Sequence, residues 1–297
     1  VRISVAIPAL NEQETIAPIC RIISNELMEE VPFVDELVVL DGESIDETAL
    51  RADAAGARVV DVAKILPEIP VRPGKGESLW RSLAVLRGDI VVWIDADIRN
   101  FSSHFVTRLV APLLCDASVD FVKGYYRRPI QLDGVLSPSG GGRVTELLAR
   151  PMLDMLFPEL AGVIQPLAGE YAGRAEVLRK LPFFTGYSVE AGLLIDLLDV
   201  VGLDGIAQVD LGTRIHRNRP LEELGPMAFA IARTIMQRAE ELGRLKTRIN
   251  PRDYPQLRRS LDSGLTLELP DEIERPPLNL APQAQVPVRA DLMQAVP

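Results

Sequence analysis

Four short runs rich in apolar, largely β-branched residues, at 3–7, 37–40, 58–62 and 90–94, punctuate the first third of the chain and predict strands. Between and before them the apolar positions switch to helical spacing. Ile16, Ile19, Cys20, Ile23 and Leu27 follow the first run, and Leu79, Leu83 and Leu86 precede the fourth. Strands that are apolar on both faces and alternate with amphipathic helices predict an α/β fold with a parallel sheet covered on both sides. Ligands of such sheets gather at the carboxyl ends of the strands, so the residues that follow each run are where chemistry is expected.

The pattern changes in the second half. A further strand is predicted at 119–126, then a loop rich in Gly, Ser and Pro at 131–142 and a helix at 143–157, kinked or broken near Pro151. A strand at 164–167 follows, then a helix carrying Ala191, Leu194, Ile195, Leu198 and Val201, and a strand at 206–215 that ends in a basic cluster. Met227, Ile231, Ile235 and Ala239 mark one face of a last long helix, an apolar face suited to a symmetric homodimer. Prolines recur from Pro270 onward, which predicts an extended tail rather than a packed element. No internal repeat is visible.

Composition narrows the partners. With 297 residues and 47% apolar content there is ample material for a core. A net charge of −10 argues against nonspecific nucleic-acid binding, which needs basic surface. No apolar run approaches the roughly 18 residues of a membrane span, and the first residues read as a strand rather than a signal peptide. No membrane partner and a cytoplasmic location are therefore expected. Cys20 and Cys115 have no metal-ligand or redox spacing and are expected to be buried, inert thiols.

The run at 90–94 leads directly into Asp95-Ala96-Asp97. Two carboxylates one residue apart at a strand end can hold a hard cation such as Mg²⁺ or Mn²⁺ against a diphosphate, or else simply open a loop and cap the next helix. Pro8-Ala9-Leu10-Asn11-Glu12 ends the first strand, where backbone amides and a short acid can grip a base and ribose. Asn11 fits locally as the cap of the following helix equally well, with Glu14 at its third position, and both roles can hold at once. Asp41-Gly42-Glu43-Ser44 has the form of a glycine turn with a capping serine. Arg72-Pro73-Gly74-Lys75-Gly76 lets amides and an ammonium approach a phosphate, but lacks the spacing of a P-loop. Gly140-Gly141-Gly142-Arg143-Val144-Thr145 opens a helix with free amides, a guanidinium and a hydroxyl, a combination suited to a phosphate or carboxylate. His216 lies among arginines at a strand end and could complete the Asp site on a metal, whereas His104 reads as structural. Glu190 is either a site acid or a favourable charge at the start of its helix.

Pro8 to Glu12 and Asp95-Ala96-Asp97, on an alternating first half, resemble glycosyltransferases of the GT-A fold. Arg72 to Glu77, Gly140 to Glu146, Gln165-Pro166-Leu167-Ala168-Gly169-Glu170-Tyr171 and His216-Arg217-Asn218 narrow the resemblance. Together they are similar to the retaining family of glucosyl-3-phosphoglycerate and mannosyl-3-phosphoglycerate synthases. The resemblance implies a Rossmann-like, nucleotide-sugar-binding half over 1–125 and an acceptor-binding half of the same domain over 126–250, followed by the tail at 251–297. It implies transfer of a hexose from a nucleotide sugar to the 2-hydroxyl of 3-phosphoglycerate, with retention of configuration. Pro8, Ala9, Leu10, Asn11, Glu12, Gly42, Lys75, Asp95 and Ala96 would bind the nucleotide, and Asp97 with His216 would hold Mg²⁺ or Mn²⁺. Tyr187, Ser188, Val189, Glu190 and Arg214 would line the donor sugar and diphosphate. Gly142, Arg143, Val144, Thr145 and Asn218 would hold the acceptor. Glu190, Leu167 and Asp97 are the catalytic candidates. Ala96 stands where many members carry a small hydroxyl residue.

Two other readings stay open at this level. A sugar-phosphate nucleotidyltransferase shares the sheet and an acidic metal site, and a nonenzymatic nucleotide-sugar-binding module would use the first half alone. Donor identity, whether UDP-glucose, GDP-glucose or GDP-mannose, is not legible in the sequence.

Overall fold

In the computed structural model, residues 1–132, 135–137, 141–215, 221–247, 256–260, 264–268 and 272–281 are described. Strands β1 (Ile3–Ala9), β2 (Glu36–Asp41), β3 (Arg58–Asp61), β4 (Ile90–Trp93) and β5 (Phe121–Arg127) form where the apolar runs predict them. A short hairpin, β6 (Ile130–Leu132) and β7 (Val135–Ser137), occupies part of the segment read as loop. Then come β8 (Tyr171–Arg174), β9 (Phe183–Phe184) and β10 (Ile206–Thr213). A second hairpin, β11 (Gln256–Ser260) with β12 (Gly264–Glu268), precedes β13 (Glu274–Arg275). The helices are α1 (Ile16–Ile22), α2 (Thr48–Asp53), α3 (Lys75–Val85), α4 (His104–Cys115), α5 (Arg150–Leu156), α6 (Ala175–Leu178), α7 (Val189–Val201) and α8 (Leu221–Glu241).

Seven strands build one sheet in the order β10-β5-β8-β4-β1-β2-β3. All pairings are parallel except those of β8, which runs antiparallel to both β4 and β5. Strand alternation divides the buried side chains between two faces. Ile3, Val5, Ile7, Leu37, Val39, Ile90 and Val92 pack under α1, α2 and α4. Ala6, Val38, Leu40, Val91 and Trp93 pack against α3, α6 and α7. A third cluster joins α5, α7 and α8 through Leu153, Leu194, Ile195, Ile231 and Ile235. The apolar face of the last helix is thus consumed within the chain, which removes the reason for assigning it to a dimer.

Several sequence expectations are corrected here. No strand forms at 164–167. Pro166 and Gly169 turn the chain there, the Gln165 side chain bonds both the backbone N–H and C=O of Tyr126, and the strand begins only at Tyr171. Asn11 does not cap a helix: α1 starts at Ile16 without a side-chain cap, and Asn11, at φ 56°, accepts from the N–H of Ile45. Ser44 caps nothing either; its hydroxyl accepts from Asn11 N–H. Cys20 is buried, its thiol pushed up to about 12 by burial, but Cys115 is exposed. The disturbance near Pro151 is a wide π-helical turn at Thr145–Ala149, after which the proline sits harmlessly in the first turn of α5.

The largest correction concerns the segment read as an unpacked tail. β13 pairs antiparallel with β9, Leu278 and Ala281 are buried, and Trp80 Nε1 donates to Pro276 O at 2.9 Å. The reason lies in α3. Glu77 is fully buried beside an equally buried Arg81, whose Nε reaches it at 2.7 Å while its other nitrogens hold the carbonyls of Ile65, Leu66 and Ile69. Arg275 meets the same carboxylate with two bonds of 2.8 Å and covers it from water. Proline composition marked the segment as extended and could not reveal that an ion triad fastens it. Removing one member of a buried pair leaves an uncompensated charge. Glu77→Ala, which strands two arginines, is therefore expected to lose about 3–5 kcal/mol in urea unfolding. Arg275→Ala, which leaves Glu77 paired with Arg81, should lose clearly less.

Candidate active site

The carboxyl ends of β1, β2, β4, β5 and β10 open on one mouth, and β8, because it runs the opposite way, brings its amino end there. Asp95 follows β4 and divides its oxygens: Lys75 Nζ, at the start of α3, lies 2.5 Å from Oδ1, and Arg214 Nη2, just past β10, lies 2.8 Å from Oδ2. The same Arg214 nitrogen reaches Asp97 Oδ1 at 2.6 Å, and Lys75 also donates to Glu190 Oε1 at 2.8 Å in the first turn of α7. Glu170, at the amino end of β8 and fully buried, has its carboxylate 3.0 Å from Arg214 Nε. Burial acts against charge on Lys75, but Asp95 and Glu190 outweigh it and hold the ammonium well above the ordinary lysine value. Burial would likewise raise Asp95, yet Lys75 and Arg214 keep it well below the usual carboxylate range.

Backbone detail fixes this lattice. Gly169 lies so close under Asp95 that a β-carbon would collide with its carboxylate, and Gly124 N–H donates to Glu170 O at 2.9 Å. Arg214 is aimed by its neighbours. Its N–H bonds Arg127 O at 3.0 Å, while Asn100 takes Thr213 O and Ile215 N–H at 2.7 Å each.

At the β1 and β2 ends the two loops are tied together. Asn11 N–H reaches Ser44 Oγ at 3.0 Å, and Glu12 N–H reaches Thr48 Oγ1 at 2.8 Å. Gly42 N–H donates to Ala9 O at 2.9 Å. Asn11 and Glu43, at φ 56° and 67°, both occupy the left-handed region, so this rim is held in a conformation that an isolated turn would avoid. Pro8, Ala9 and Leu10 lie on the same edge, with Leu10 exposed. His104 is structural as expected: its ring contacts Ser102 Oγ and, at 2.9 Å, Leu211 O.

On the other side, Gly142 turns at φ 77° and the helix begins at Arg143, with Val144 part-buried and Thr145 buried. A ladder of rings and guanidinium groups joins this turn to the carboxylates. Gly141 N–H bonds Arg128 O at 3.2 Å, Arg128 donates to Tyr126 Oη at 2.8 Å, and Arg214 lies 5.5 Å from the Tyr126 ring. Tyr187 is half-exposed at the mouth, whereas Ser188 and Val189 are buried beneath it. Leu167 sits in the turn before β8 with its side chain against the α5–α7–α8 cluster, so any role at the site falls to its backbone. His216 and Asn218 lie outside the described residues, as does Gly140.

Two contributors escaped the sequence reading, and a third, Glu170, entered it only inside a motif and without a role. Lys123 sits in apolar surroundings, and Glu272 sits in the presumed tail. The signal for Lys123 was a lysine inside a strand otherwise apolar, Phe121-Val122-Lys123-Gly124. It is 2% exposed, donates to Ala168 O at 2.8 Å and lies 4.4 Å over the Tyr171 ring.

The donor set fits a hard divalent cation. Asp95 and Asp97 offer carboxylate oxygens on a part-exposed rim, and among the described residues nothing bonds the second oxygen of Asp97. No three His, Cys, Asp or Glu side chains gather as a closed metal cage among the described residues. Mg²⁺-type sites characteristically use one or two carboxylates and leave the rest of the shell to phosphate and water.

Burial pulls the Lys123 ammonium down to about 7, against the opposing charge of Glu190. Between that value and the ordinary 10.5 the folded protein binds fewer protons at this site than the unfolded chain, so stability rises with pH across the window. Thermal unfolding should show Lys123→Met gaining on the wild type near pH 6, by an amount on the order of 1–3 kcal/mol, with the gain shrinking toward pH 10. A pH-independent difference would show that Lys123 carries no buried-charge penalty.

No family model matches the chain. It is 56% identical over 239 residues to a glucosyl-3-phosphoglycerate synthase of Mycobacterium tuberculosis, covering 80% of this chain and 73% of the relative. It is 46% identical over 286 residues to the enzyme of the same name from Petrotoga mobilis, covering 95% and 88%. A crystal structure of the Mycobacterium tuberculosis synthase in complex with Mn²⁺, UDP-glucose and phosphoglyceric acid superposes with a TM-score of 0.81 at 47% identity, over 94% of this chain and 90% of that one. Among the described residues no helix is long and apolar enough to cross a membrane.

Proposed function

The chain belongs to the glucosyl-3-phosphoglycerate synthase family, and from that premise we propose that it transfers glucose from UDP-glucose to 3-phosphoglycerate with Mn²⁺ or Mg²⁺, releasing UDP. 3-Phosphoglycerate has one free hydroxyl, at C2, so a glucoside of it is linked there. The observation that carries the reading is the lattice of Asp95, Asp97, Lys75 and Arg214 at the sheet mouth, a mixed-charge site able to receive a diphosphate and its cation. A nucleotidyltransferase or a binding module has no comparable support, and glucose replaces the wider choice of hexose.

Pro8 to Glu12 and Gly42 form the rim for the nucleotide, where the tied β1 and β2 loops present backbone groups. Asp97, with His216 by family resemblance, holds the divalent cation, which when bound neutralises the diphosphate and makes UDP a better leaving group. Lys75 and Arg214 supply fixed positive charge beside the same oxygens, and because they are already paired and oriented, little reorganisation accompanies charge build-up on the leaving group. Ala96 is buried between the two aspartates and contributes only backbone, enough for a contact to the nucleotide. Gly142, Arg143, Val144 and Thr145 form the helix start for the acceptor's anionic groups, Arg143 being able to pair bidentately, with Asn218 beside them by resemblance.

The test of the activity is incubation with labelled UDP-glucose and 3-phosphoglycerate, with the product identified by mass spectrometry. Transfer should require Mn²⁺ or Mg²⁺. Asp97→Ala should lower kcat by roughly 100-fold or more, and its activity should respond to a higher metal concentration than the wild type's. Full activity of the variant in excess chelator would remove Asp97 from the metal site.

Retention of the α configuration follows most simply from front-face attack, with the departing diphosphate accepting the hydroxyl proton. A double displacement needs a free carboxylate beneath the sugar. Glu190, buried at the start of α7, is the candidate, but its oxygen is engaged by Lys75 at 2.8 Å, which diminishes its nucleophilicity. Glu170, fully buried against Arg214, cannot reach a sugar. Glu190→Gln is therefore expected to retain measurable transfer with an α-linked product by NMR. Intact-protein mass spectrometry should find no glucosyl adduct; a kinetically competent adduct on Glu190 would reject front-face attack.

A further inference from the structure

We propose that Glu272 is a positioning residue for the donor: its carboxylate clasps the turn that carries Tyr187 and leads into Glu190, and a strap formed by residues 272–281 anchors that clasp to the same helix start that carries Lys75. The inference rests on the glucosyl-transfer reading of the site and extends it to a segment outside the mouth.

One carboxylate oxygen of Glu272 gathers three donors. Gly186 N–H reaches Oε1 at 3.0 Å and Ser188 N–H reaches it at 3.2 Å, while the Ser188 hydroxyl bonds the same atom. Gly186 and Ser188 lie immediately ahead of α7, which begins at Val189, and the Ser188 side chain provides no cap. Glu272 therefore fixes from outside the turn that leads into α7. Gly186 is the residue that lets the carboxylate so near, since a β-carbon there would lie 2.8 Å from Oε1.

The clasp is itself held. Thr185 N–H donates to Ile273 O at 2.9 Å and Ile273 N–H returns to Thr185 Oγ1 at 3.2 Å. The carbonyl of Thr185 faces the other way and accepts from Glu77 N–H at 3.0 Å. Glu77 is two residues beyond Lys75 and holds Arg275 of the strap through its carboxylate. Gly76 packs so tightly on Phe184 O that no side chain fits. Glu272, Thr185, Glu77 and Lys75 thus form a closed loop of contacts, and Glu190 completes it by meeting Lys75 at 2.8 Å. Slack at Glu272 would be felt as displacement of Tyr187 and Glu190 relative to Lys75. A shift of about 1 Å in a positioning group can cost roughly 100-fold in rate.

Glu272→Ala removes the acceptor for all three donors. Its expected signature is a rise of about tenfold or more in KM for UDP-glucose, and a parallel loss of UDP-glucose affinity in calorimetry, with 3-phosphoglycerate affinity within about twofold of wild type. Glu272→Gln, which keeps an oxygen in place of Oε1, should restore most of the donor affinity; a merely structural charge at this position would not be rescued by the neutral amide. Should Glu272→Ala fail to fold, Ser188→Ala, which removes one of the three donors, is expected to move the same two donor quantities by a smaller factor. Equal losses for donor and acceptor, or unchanged donor affinity in a folded Glu272→Ala protein, would overturn the proposal. Wild-type protein that binds UDP-glucose but transfers nothing would refute the transferase reading, while the titrations would still decide the role of Glu272.

Discussion

Asp95 shares its two oxygens between Lys75 and Arg214, and the surrounding architecture is governed by the need to keep those charges paired at a place only partly open to water. Lys75 comes from the start of α3, Asp95 from the end of β4, Glu190 from the start of α7 and Arg214 from the end of β10. A misplacement of any one would leave a neighbouring charge unmatched in a medium of low dielectric, which costs several kcal/mol. The antiparallel strand solves a problem the parallel ones cannot. Parallel strands present only their carboxyl ends to the mouth, whereas β8 brings its amino end there, with Glu170 behind Arg214 and Gly169 beneath Asp95. The exception in the sheet is therefore the element that gives the site its floor.

Close backbone approach is the second constraint, and glycines mark where it operates. Gly74, at φ 120°, and Gly76 bring the first turn of α3 against the Phe184–Gly186 turn, and no side chain fits at either contact. Lys75 lies between them, so its direction is set on both sides by main chain rather than by a mobile side-chain partner. The buried triad of Glu77, Arg81 and Arg275 continues this fastening one helical turn deeper. A site that holds charges at 2.5–2.8 Å separation needs supports of this stiffness, since exposed ion pairs on flexible stems contribute little.

Much of this was legible in the sequence because it was periodic or local. Apolar runs located six of the seven main-sheet strands, all but β8, and the positions following those of the first half carried Asp95, Asp97 and the Pro8 to Glu12 rim. Lys75 and Glu190 stood out locally and the resemblance in motifs added Arg214; the structure brings the three together around Asp95. What stayed hidden had no local signature. The direction of β8 depends on a crossover rather than on its four residues, and 164–167 resembled a strand until Gln165 was seen bonding Tyr126. Lys123 and Glu170 are buried charges whose partners, Ala168 O and Arg214, are far from them in sequence and brought close only by the fold. Asn11 looked locally like a helix cap, and the tertiary contact with Ile45 takes its side chain elsewhere. The proline-rich segment failed for the same reason: composition describes how a chain behaves alone, and residues 272–281 are ordered by Glu77 and Thr185, far away in sequence.

The charge of the whole molecule sharpens the role of the site. Both substrates are anions, yet the chain carries a net charge of −10. Its long-range field therefore opposes their approach, and attraction must arise locally. The cations that can provide it are concentrated along one path, from Lys75 and Arg214 at the carboxylates through Arg128 beside Tyr126 to Arg143 at the helix start. Arg214 is nearly buried and its charge is only weakly screened by salt, unlike a basic surface patch. But Lys75 and Arg214 already have their charge answered by Asp95, Asp97, Glu170 and Glu190, so a diphosphate entering beside them finds carboxylates that outnumber the cations rather than an excess of positive charge. A divalent cation supplies the excess that the protein itself withholds. On this view the paired lattice orients the diphosphate and the metal attracts it, a division of labour that explains why an acidic protein can handle two anionic substrates at a mouth lined with carboxylates.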